Sequence, residues 1–334
     1  MTSWSREPET AALALMAGAR DDLEIGERVL LAAGPSQLTA LLQSSTRNVT
    51  RWNRRVDATA VVQPDPPAGA YTAALLRLPK SREEQVMITH QCLAALSPEG
   101  RLIVYGGNNE GIRSFQKTLG EIGTVTTLAT RGHGRVLELL RRHVTITLAG
   151  RLADWRERGD AAKPWISYPG LFAGGAPDPG TLLLLAHLPA LSALDKILDY
   201  GAGPGAIAAA ICLKYPVTQL TLLDNDSVAL VAAGENVAGA TMVLGDSLDA
   251  MQSKRFDLIV SNPPLHVGFM EDTTALQRLI ASAPVHLTTK GTLMMVVQRR
   301  IALDRSLAAT FATVDIVADD GRYRVWRAGK GKKT

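Results

Sequence analysis

An internal duplication is the feature that most constrains the fold of this 334-residue chain. The segment "TVTTLATRG" at 124–132 lies 189 positions before "TVDIVADDG" at 313–321, and "LSPEGRLIVYG" at 96–106 parallels "LTTKGTLMMVV" at 287–297. The first pair has the pattern of a terminal β-hairpin, and the second is typical of a helix end, a glycine turn and a buried strand. Repetition at this distance indicates two copies of one domain, and chance similarity of α/β turns is the alternative.

The opening strands of the two copies can also be aligned. "RVLLAAGPSQLTALL" at 28–42 matches "ILDYGAGPGAIAAAI" at 197–211 with an offset of 169, which places Asp199 opposite Leu30. The first copy keeps the strand, the turn and the helix, but it lacks the acid and two of the glycines. We interpret the first copy as degenerate and the second as functional.

Both copies alternate strands with helical segments, which favours open, mostly parallel sheets covered on both faces. We therefore predict an α/β fold with two tandem Rossmann-like domains, the N-terminal one degenerate. The polar segment "GRLADWRERGDAAKPW" has little periodicity, so we place a linker at 151–165, between domains at 1–150 and 166–334.

The sequence also contains two helix starts. In "RLPKSREE", Ser81 and Glu84 have the spacing of a capping box. Asp178 followed by Pro179 predicts an N-cap with proline at the first helical position, which is a structural role.

Composition is that of a soluble globular protein, since 46% of the residues are hydrophobic and 20% are charged. The apolar stretch at 11–19 follows Glu7 and Glu9, the wrong flanking charge for a signal peptide. Cys92 and Cys212 lie in apolar patterns, so we expect buried thiols in a reducing compartment. We predict a cytoplasmic protein with no membrane span and no metal, because no cluster of cysteine, histidine and acidic residues has metal-ligand spacing.

Positive charge is concentrated at the C-terminus. The final fourteen residues contain six lysines and arginines and no acids, whereas the rest of the chain has a net charge of −2. A basic tail suits contact with phosphates, but tails of this kind are often only solubilising. The charge therefore permits a nucleic-acid partner without requiring one.

Polar groups follow successive predicted strands of the second copy. "KILDYGAGPGAIAAAI" is a strand, a glycine-rich turn and a helix whose first amides are free to bind a ligand. Asp199, just before the turn, would repel a pyrophosphate but attract an ammonium group. Asp224 can accept hydrogen bonds from both ribose hydroxyls, and Asp246 from an adenine amino group. Singly, these two residues could be a turn aspartate and an N-cap, but together they favour an S-adenosylmethionine site.

The fourth strand, "RFDLIV", ends in "SNPPLHVG" at 261–268. The prolines end the strand because they cannot donate to a sheet. The amine of a nucleobase is a poor nucleophile, since its lone pair is delocalised into the ring. The Asn262 side-chain oxygen and the Pro263 carbonyl could each accept one amino hydrogen and aim that lone pair at a methyl donor. A strand terminator with no chemistry is the alternative.

The glycine loop and the later Asn-Pro-Pro resemble those of amino-group methyltransferases acting on adenine, guanine or glutamine side chains. The degenerate first half, "PKSREEQ" and "YPGLFAGGAPDPGTLLLL" are similar to the bacterial guanine-N2 methyltransferases of ribosomal RNA, the 16S type above all. The resemblance is strong over 166–268 and looser over 1–150. It implies two tandem class I methyltransferase domains, the first binding RNA or serving as structure and the second catalytic. S-adenosylmethionine would be the cofactor, and rRNA or a ribosomal subunit the partner.

The resemblance also implies a set of site residues. It assigns positioning of the amine to Asn262, Pro263 and Pro264 and substrate contacts to Phe172, Leu265 and His266. Cofactor contacts are implied at Asp199, Tyr200, Gly201, Ala202, Gly203, Asp224, Asn225, Asp246, Ser247 and Asn262.

Leu265 departs from the family, which commonly has phenylalanine followed by histidine after the two prolines. Stacking of a base on an aromatic ring contributes about 1–3 kcal/mol, so leucine weakens the assignment of the substrate. This departure keeps open an N-methyltransferase for a protein glutamine or a small molecule. A non-catalytic RNA-binding or assembly factor is a separate alternative, against which the intact set of Asp199, Asp224, Asp246 and Asn262 argues.

A guanine amine inside a duplex is out of reach of such a pocket, so the target base would have to be unpaired or flipped. We predict phosphate contacts from basic residues around Trp52 and in the tail, with a solvated helix face as the alternative for the arginines. These residues are Arg47, Arg51, Arg54, Arg55, Lys330, Lys332 and Lys333. The oligomeric state is open, and a monomer is the default expectation.

Overall fold

A computed structural model of the chain divides it into two compact units, Met1–Arg156 and Glu157–Thr334. It describes residues 25–43, 48–131, 133–159, 165–171, 177–215, 219–263, 266–267, 270–271 and 274–330.

The N-terminal unit is built on a seven-stranded sheet. Its strands are β1 (Arg28–Ala32), β2 (Asn48–Asn53), β3 (Val61–Val62), β4 (Tyr71–Arg77), β5 (Leu96–Gly107), β6 (Gly123–Arg131) and β7 (Gly134–Val144). Its described helices are α1 (Ser36–Gln43), α2 (Arg82–Ala95) and α3 (Ile112–Ile122), with single 3-10 turns at Asn108–Glu110 and Leu152–Trp155. The strand order is β3-β2-β1-β4-β5-β7-β6, and β7 runs antiparallel to both of its neighbours.

The C-terminal unit contains a second seven-stranded sheet and two short strand pairs. Its strands are β8 (Glu157–Arg158), β9 (Ile166–Ser167), β10 (Lys196–Tyr200), β11 (Gln219–Asp224), β12 (Thr241–Leu244), β13 (Phe256–Ser261), β14 (His266–Val267), β15 (Met270–Glu271), β16 (Leu287–Gln298), β17 (Thr313–Asp319) and β18 (Tyr323–Gly329). Its described helices are α4 (Pro179–Ala186), α5 (Ala206–Lys214), α6 (Ser227–Asn236), α7 (Thr274–His286) and α8 (Asp304–Thr310), with a 3-10 turn at Leu248–Met251.

The two large sheets have the same topology, which confirms the predicted duplication. The second sheet has the order β12-β11-β10-β13-β16-β18-β17, which is the order of the first sheet strand for strand. Even an irregularity recurs: the terminal hairpin changes register between Thr127 and Ala129 in one unit and between Ile316 and Ala318 in the other. The predicted α/β fold with tandem Rossmann-like domains is therefore correct.

The predicted alignment of the opening strands was wrong by one residue. Ala33 and Gly201 both have positive φ angles, 52° and 69°, and both donate to the strand next to β1 or β10. Their equivalence makes Leu31, rather than Leu30, the counterpart of Asp199. The alignment superimposed Gly34–Pro35 on Gly203–Pro204, but these two pairs lie one position apart in the two turns.

Both faces of the C-terminal sheet are buried. Ile197 and Leu258 belong to one cluster of buried apolar side chains, whereas Leu198 and Ile259 belong to another. Because successive strand residues point to opposite faces, helices must cover both sides of the sheet. The middle of β10 and β13 is therefore apolar, whereas Asp199 and Ser261 lie near the carboxyl ends of these strands.

Internal ion pairs use the arginines that were predicted to contact phosphates. Arg51 donates to both carboxylate oxygens of Asp57 (3.1 and 2.6 Å), to the Thr59 hydroxyl and to the Gly34 carbonyl (3.0 Å). Arg54 is also buried, with a nitrogen 3.7 Å from Glu84. The prediction was wrong for both arginines, because each guanidinium is removed from solvent.

The other residues that were predicted to contact RNA either have partners within the protein or lie outside the described residues. Arg55 is partly exposed but pairs with Glu84 (2.6 Å), and Trp52 is buried with its indole N–H donating to a carbonyl. Lys330 donates to a backbone oxygen at 3.3 Å. Arg47, Lys332 and Lys333 lie outside the described residues.

Two local predictions need correction. Ser81 is the N-cap of α2 and accepts from the Glu84 amide (3.3 Å), but the Glu84 carboxylate bonds the Arg55 guanidinium, so only half of the expected capping box forms. Cys92 is buried as expected, whereas Cys212 is exposed on α5 beside Leu213, itself 91% exposed. An apolar helix sequence does not by itself reveal which face is covered.

No helix among the described residues is long and apolar enough to cross a membrane. The same part of the chain has no group of three histidine, cysteine or acidic side chains suited to a metal ion.

Arg51→Met should destabilise the N-terminal unit by about 3 kcal/mol, because it leaves Asp57 and the Gly34 carbonyl without their buried partner. Urea unfolding followed by the fluorescence of the neighbouring Trp52 measures the change. The matched control is Arg142→Met, which breaks an exposed pair with Glu99 and should cost less than about 1 kcal/mol. Equal effects of the two changes would contradict a structural role for Arg51.

Candidate active site

A glycine-rich loop follows β10 at the carboxyl edge of the C-terminal sheet. Gly201, Gly203 and Gly205 have φ angles of 69°, 54° and 91°, in the left-handed region that favours glycine. A Cβ at position 205 would lie 2.8 Å from a Val237 methyl group, so this glycine is also needed for packing. A Cβ at position 203 would meet no atom of the described residues within 4 Å, which leaves space among them beside the loop.

The end of β11 fastens this loop. The Gly201 and Ala202 amides donate to the Leu223 carbonyl at 2.8 and 3.1 Å. The Asp224 carboxylate accepts from the Gly203 amide at 2.7 Å and from the Asp226 amide at 2.8 Å. Asp224 therefore lies directly against the glycine loop and helps to set its shape.

Asp199 is a buried carboxylate at the end of β10. One of its oxygens accepts from the Ala208 amide of α5 at 3.2 Å, while the other, Oδ1, is buried with no hydrogen-bond partner among the described residues. Burial raises the pKa of Asp199 to about 7; the Ala208 bond opposes this rise, and the nearby Asp224 charge adds to it. An unpartnered carboxylate oxygen is a place for a cationic or N–H-bearing ligand.

Tyr200 connects the loop to the end of β12. Its side chain is buried, and its hydroxyl donates to the Asp246 carbonyl at 3.1 Å. Burial raises the Tyr200 pKa, and the Asp246 carboxylate adds to the rise. Asp246 and Asn225 are exposed beyond the strand ends, and the Ser247 hydroxyl donates to Asp249 at 3.1 Å.

Asn262 follows β13 beside the same loop. Ser261 pairs with Tyr200 in the parallel ladder, and its hydroxyl donates to the Tyr200 carbonyl at 2.7 Å. The Asn262 side-chain nitrogen donates to Asp178 Oδ1 at 3.0 Å and to Thr181 Oγ1 at 2.9 Å. The next residue, Pro263, is buried. Asn262 is therefore held at a defined position next to the glycine turn.

The structure brings the residues predicted after β10, β11, β12 and β13 to one edge of the sheet, and their functional roles stay predictions. Phe172, Pro264 and Leu265 lie outside the described residues. The backbone of His266 is in β14, opposite Glu271 of β15, and its side chain is not described.

Sequence reasoning missed Thr181 and gave Asp178 only its helix-capping role. Asp178 is indeed the N-cap of α4, and it accepts from the Thr181 amide at 2.7 Å. The Asp-Pro-Gly-Thr pattern signals the helix start, but nothing in it indicates a partner 84 positions later in the chain.

Comparisons with known proteins agree with this geometry. Residues 164–327 match the family model "Methyltransferase small domain", and residues 14–141 match "Methyltransferase small domain N-terminal". The chain is 31% identical to ribosomal RNA small subunit methyltransferase C of Stutzerimonas stutzeri, over 80% of this chain and 81% of the relative. It is 32% identical to the protein of the same name from Pseudomonas entomophila, over 79% and 81%.

A solved structure shares the fold. The T. thermophilus 16S rRNA N2 G1207 methyltransferase, in complex with AdoMet and guanosine, superimposes with a TM-score of 0.80 at 23% identity. The match covers 96% of this chain and 91% of that one.

Asp199→Asn should stabilise the ligand-free protein at pH 8 by up to about 4 kcal/mol. A carboxyl whose pKa rises from 3.8 to about 7 on folding destabilises the folded state wherever it is ionised in both states. The advantage should shrink as the pH falls from 7 towards 4, because the wild-type carboxyl then becomes protonated. Urea midpoints at pH 8, 6 and 5 measure it.

Asp249→Asn, at an exposed carboxylate of the same unit, is the control and should show no such pH dependence. A stability difference for Asp199→Asn that is the same at all three pH values would contradict the raised pKa of Asp199.

Proposed function

The chain belongs to the small-subunit ribosomal RNA methyltransferase C family, and from this premise we propose that it transfers a methyl group from S-adenosylmethionine to the N2 amine of a guanine in 16S rRNA. The observation that carries the proposal is the Asn262 amide, which is fixed beside a glycine loop at the carboxyl edge of a Rossmann-like sheet. This edge is where such folds bind nucleotide ligands.

The residues at this edge fit S-adenosylmethionine. The buried Asp199 Oδ1 has no partner among the described residues, so it can accept from a ligand ammonium group. The space beside Gly203 allows a ligand to approach the loop backbone. Asp224 lies at the end of β11, where a carboxylate can accept from ribose hydroxyls, and Asp246 is exposed for an adenine amino group.

The amine is positioned by Asn262 and Pro263. S-adenosylmethionine, when bound, supplies an electrophilic methyl group on a positively charged sulfur. Asn262 Oδ1 and the Pro263 carbonyl each accept one N2 hydrogen, which directs the nitrogen lone pair and stabilises the positive charge that develops on nitrogen. The N–C bond forms as the S–C bond breaks, and the nitrogen then releases a proton to water. No strong general base is required.

We assign catalysis to the domain at 166–334 and a structural or RNA-holding role to 1–150, with 151–165 between them. Leu31 of the N-terminal unit occupies the position of Asp199. Arg77, the last residue of β4, is the counterpart of Asn262, and its guanidinium pairs with Glu110 at 2.5 Å. The N-terminal unit thus lacks both the acid and the amide.

The proposed substrate also predicts the binding partner and the cellular location of the protein. Ribosomal RNA, alone or in a ribosomal subunit, is the partner, and the protein acts in the cytoplasm, where that RNA is found. The two alternative functions, methylation of glutamine or a small molecule and non-catalytic RNA binding, have less support, because the relatives are rRNA methyltransferases.

Incubation with S-adenosylmethionine and small ribosomal subunits from a strain that lacks this protein should yield N2-methylguanosine in 16S rRNA. Asn262→Ala should reduce the rate about 100-fold or more, since the amine loses one of its two acceptors. Mass spectrometry of nuclease digests measures the product, and the position named for the T. thermophilus enzyme is the first to inspect.

Calorimetry with S-adenosylhomocysteine is the control, because Asn262→Ala should bind it nearly as well as the wild type. The absence of N2-methylguanosine with both free RNA and subunits would refute the proposed substrate. An active Asn262→Ala enzyme would refute the role of the amide.

Leu265→Phe restores the family's aromatic residue and should lower the KM for RNA about fivefold, because stacking of a base on an aromatic ring contributes about 1–3 kcal/mol. Leu265→Ala is the matched control and should raise it. Steady-state kinetics with the same RNA measure both, and an unchanged KM in both variants would show that position 265 does not contact the base.

A further inference from the structure

Both side-chain hydrogens of Asn262 are directed at groups of α4. The Asn262 nitrogen lies 3.0 Å from Asp178 Oδ1 and 2.9 Å from Thr181 Oγ1. A primary amide has two N–H bonds, so these two contacts use the full donor capacity of the group. What remains for a substrate is the amide oxygen.

Asp178 decides which way this amide is turned. A hydroxyl such as that of Thr181 can either donate or accept, so it would tolerate both orientations of Asn262. An ionised carboxylate can only accept. A flipped amide would therefore place two acceptor oxygens about 3 Å apart, with a repulsive contact in place of a charge-assisted hydrogen bond. The carboxylate also polarises the amide, which strengthens its oxygen as an acceptor.

The start of α4 is well suited to hold this arrangement. Asp178 Oδ1 also accepts from the Thr181 amide at 2.7 Å, so the carboxylate is fixed by its own helix. Thr181 is buried, with 5% of its surface exposed. The adjacent Gly180 packs so closely on the Tyr323 ring that a Cβ would lie 3.0 Å from it. These contacts leave the first turn of α4 little freedom to move away from Asn262.

We propose that Asp178 is a positioning residue for methyl transfer: it keeps the Asn262 amide oxygen turned towards the acceptor amine, with Thr181 as the second anchor. This role rests on the proposed function of Asn262 and adds to the capping of α4. It accounts for a carboxylate bonded to the one side chain that the proposed reaction uses as an acceptor.

The test compares Asp178→Ala and Asp178→Asn with the wild type in single-turnover methyl transfer to the small subunit. Asp178→Ala should be 10- to 100-fold slower, with the affinity for S-adenosylhomocysteine changed less than twofold. Asp178→Asn keeps an acceptor oxygen and the cap but lacks the charge, so its rate should lie between the two. In the double variant Asp178→Ala/Asn262→Ala, the rate should equal that of Asn262→Ala alone, because Asp178 acts through the amide.

Ser81→Ala separates positioning from helix stability. It removes the N-cap of α2 in the N-terminal unit, so it should lower the Tm by an amount similar to Asp178→Ala while the transfer rate is unchanged. A rate for Asp178→Ala within twofold of the wild type would overturn the proposal. So would an Asp178→Ala change that slows the Asn262→Ala enzyme as much as it slows the wild type.

A measurement without activity distinguishes this proposal from the proposed function. The side-chain amide of Asn262, assigned in ¹⁵N spectra by its loss in Asn262→Ala, should show slow hydrogen exchange that becomes faster in Asp178→Ala. If the wild type methylates no RNA, the proposed function fails, and faster exchange would still support the anchor. Unchanged exchange in Asp178→Ala would overturn the anchor whatever the activity.

Discussion

Burial of both faces of the parallel sheet is the constraint on which the rest of the molecule depends. Residues on successive positions of β10 and β13 belong to separate apolar clusters, so the middle of these strands packs against apolar side chains on both faces. Polar side chains occur where the strands end, and parallel strands end at the same edge. The glycine loop, the carboxylates and the amide are therefore neighbours because the core allows them no other location.

Much of the fold follows from local patterns. The two long repeats place the last strands correctly, because a glycine turn followed by a buried strand and a terminal hairpin leaves a clear sequence signal. The opening strands were misaligned by one residue, since Ala33 adopts a left-handed conformation that the sequence would assign to glycine. The strand-end acids and Asn262 could be located from spacing alone.

Side-chain contacts that depend on the folded backbone could not be predicted. The sequence pattern around Arg51 is that of an exposed cation in a basic segment. Its ion pair with Asp57 forms only when β2 and the following turn are folded. The link between Asp178 and Asn262 joins the start of a helix to the end of a strand across 84 positions. Local sequence patterns predict the helix start and the strand end correctly, but they do not indicate that these two positions are in contact.

The Asp199 oxygen that has no partner among the described residues can bind a proton as well as a ligand. With a pKa near 7, this carboxylate takes up a proton under mildly acidic conditions, and a neutral acid no longer attracts an ammonium group. Under the proposed function, a proton and a cationic ligand would therefore compete for the same oxygen of Asp199. Under the proposed function, the desolvation that raises the pKa of Asp199 would make binding of a cationic ligand at this oxygen weaken as the pH falls.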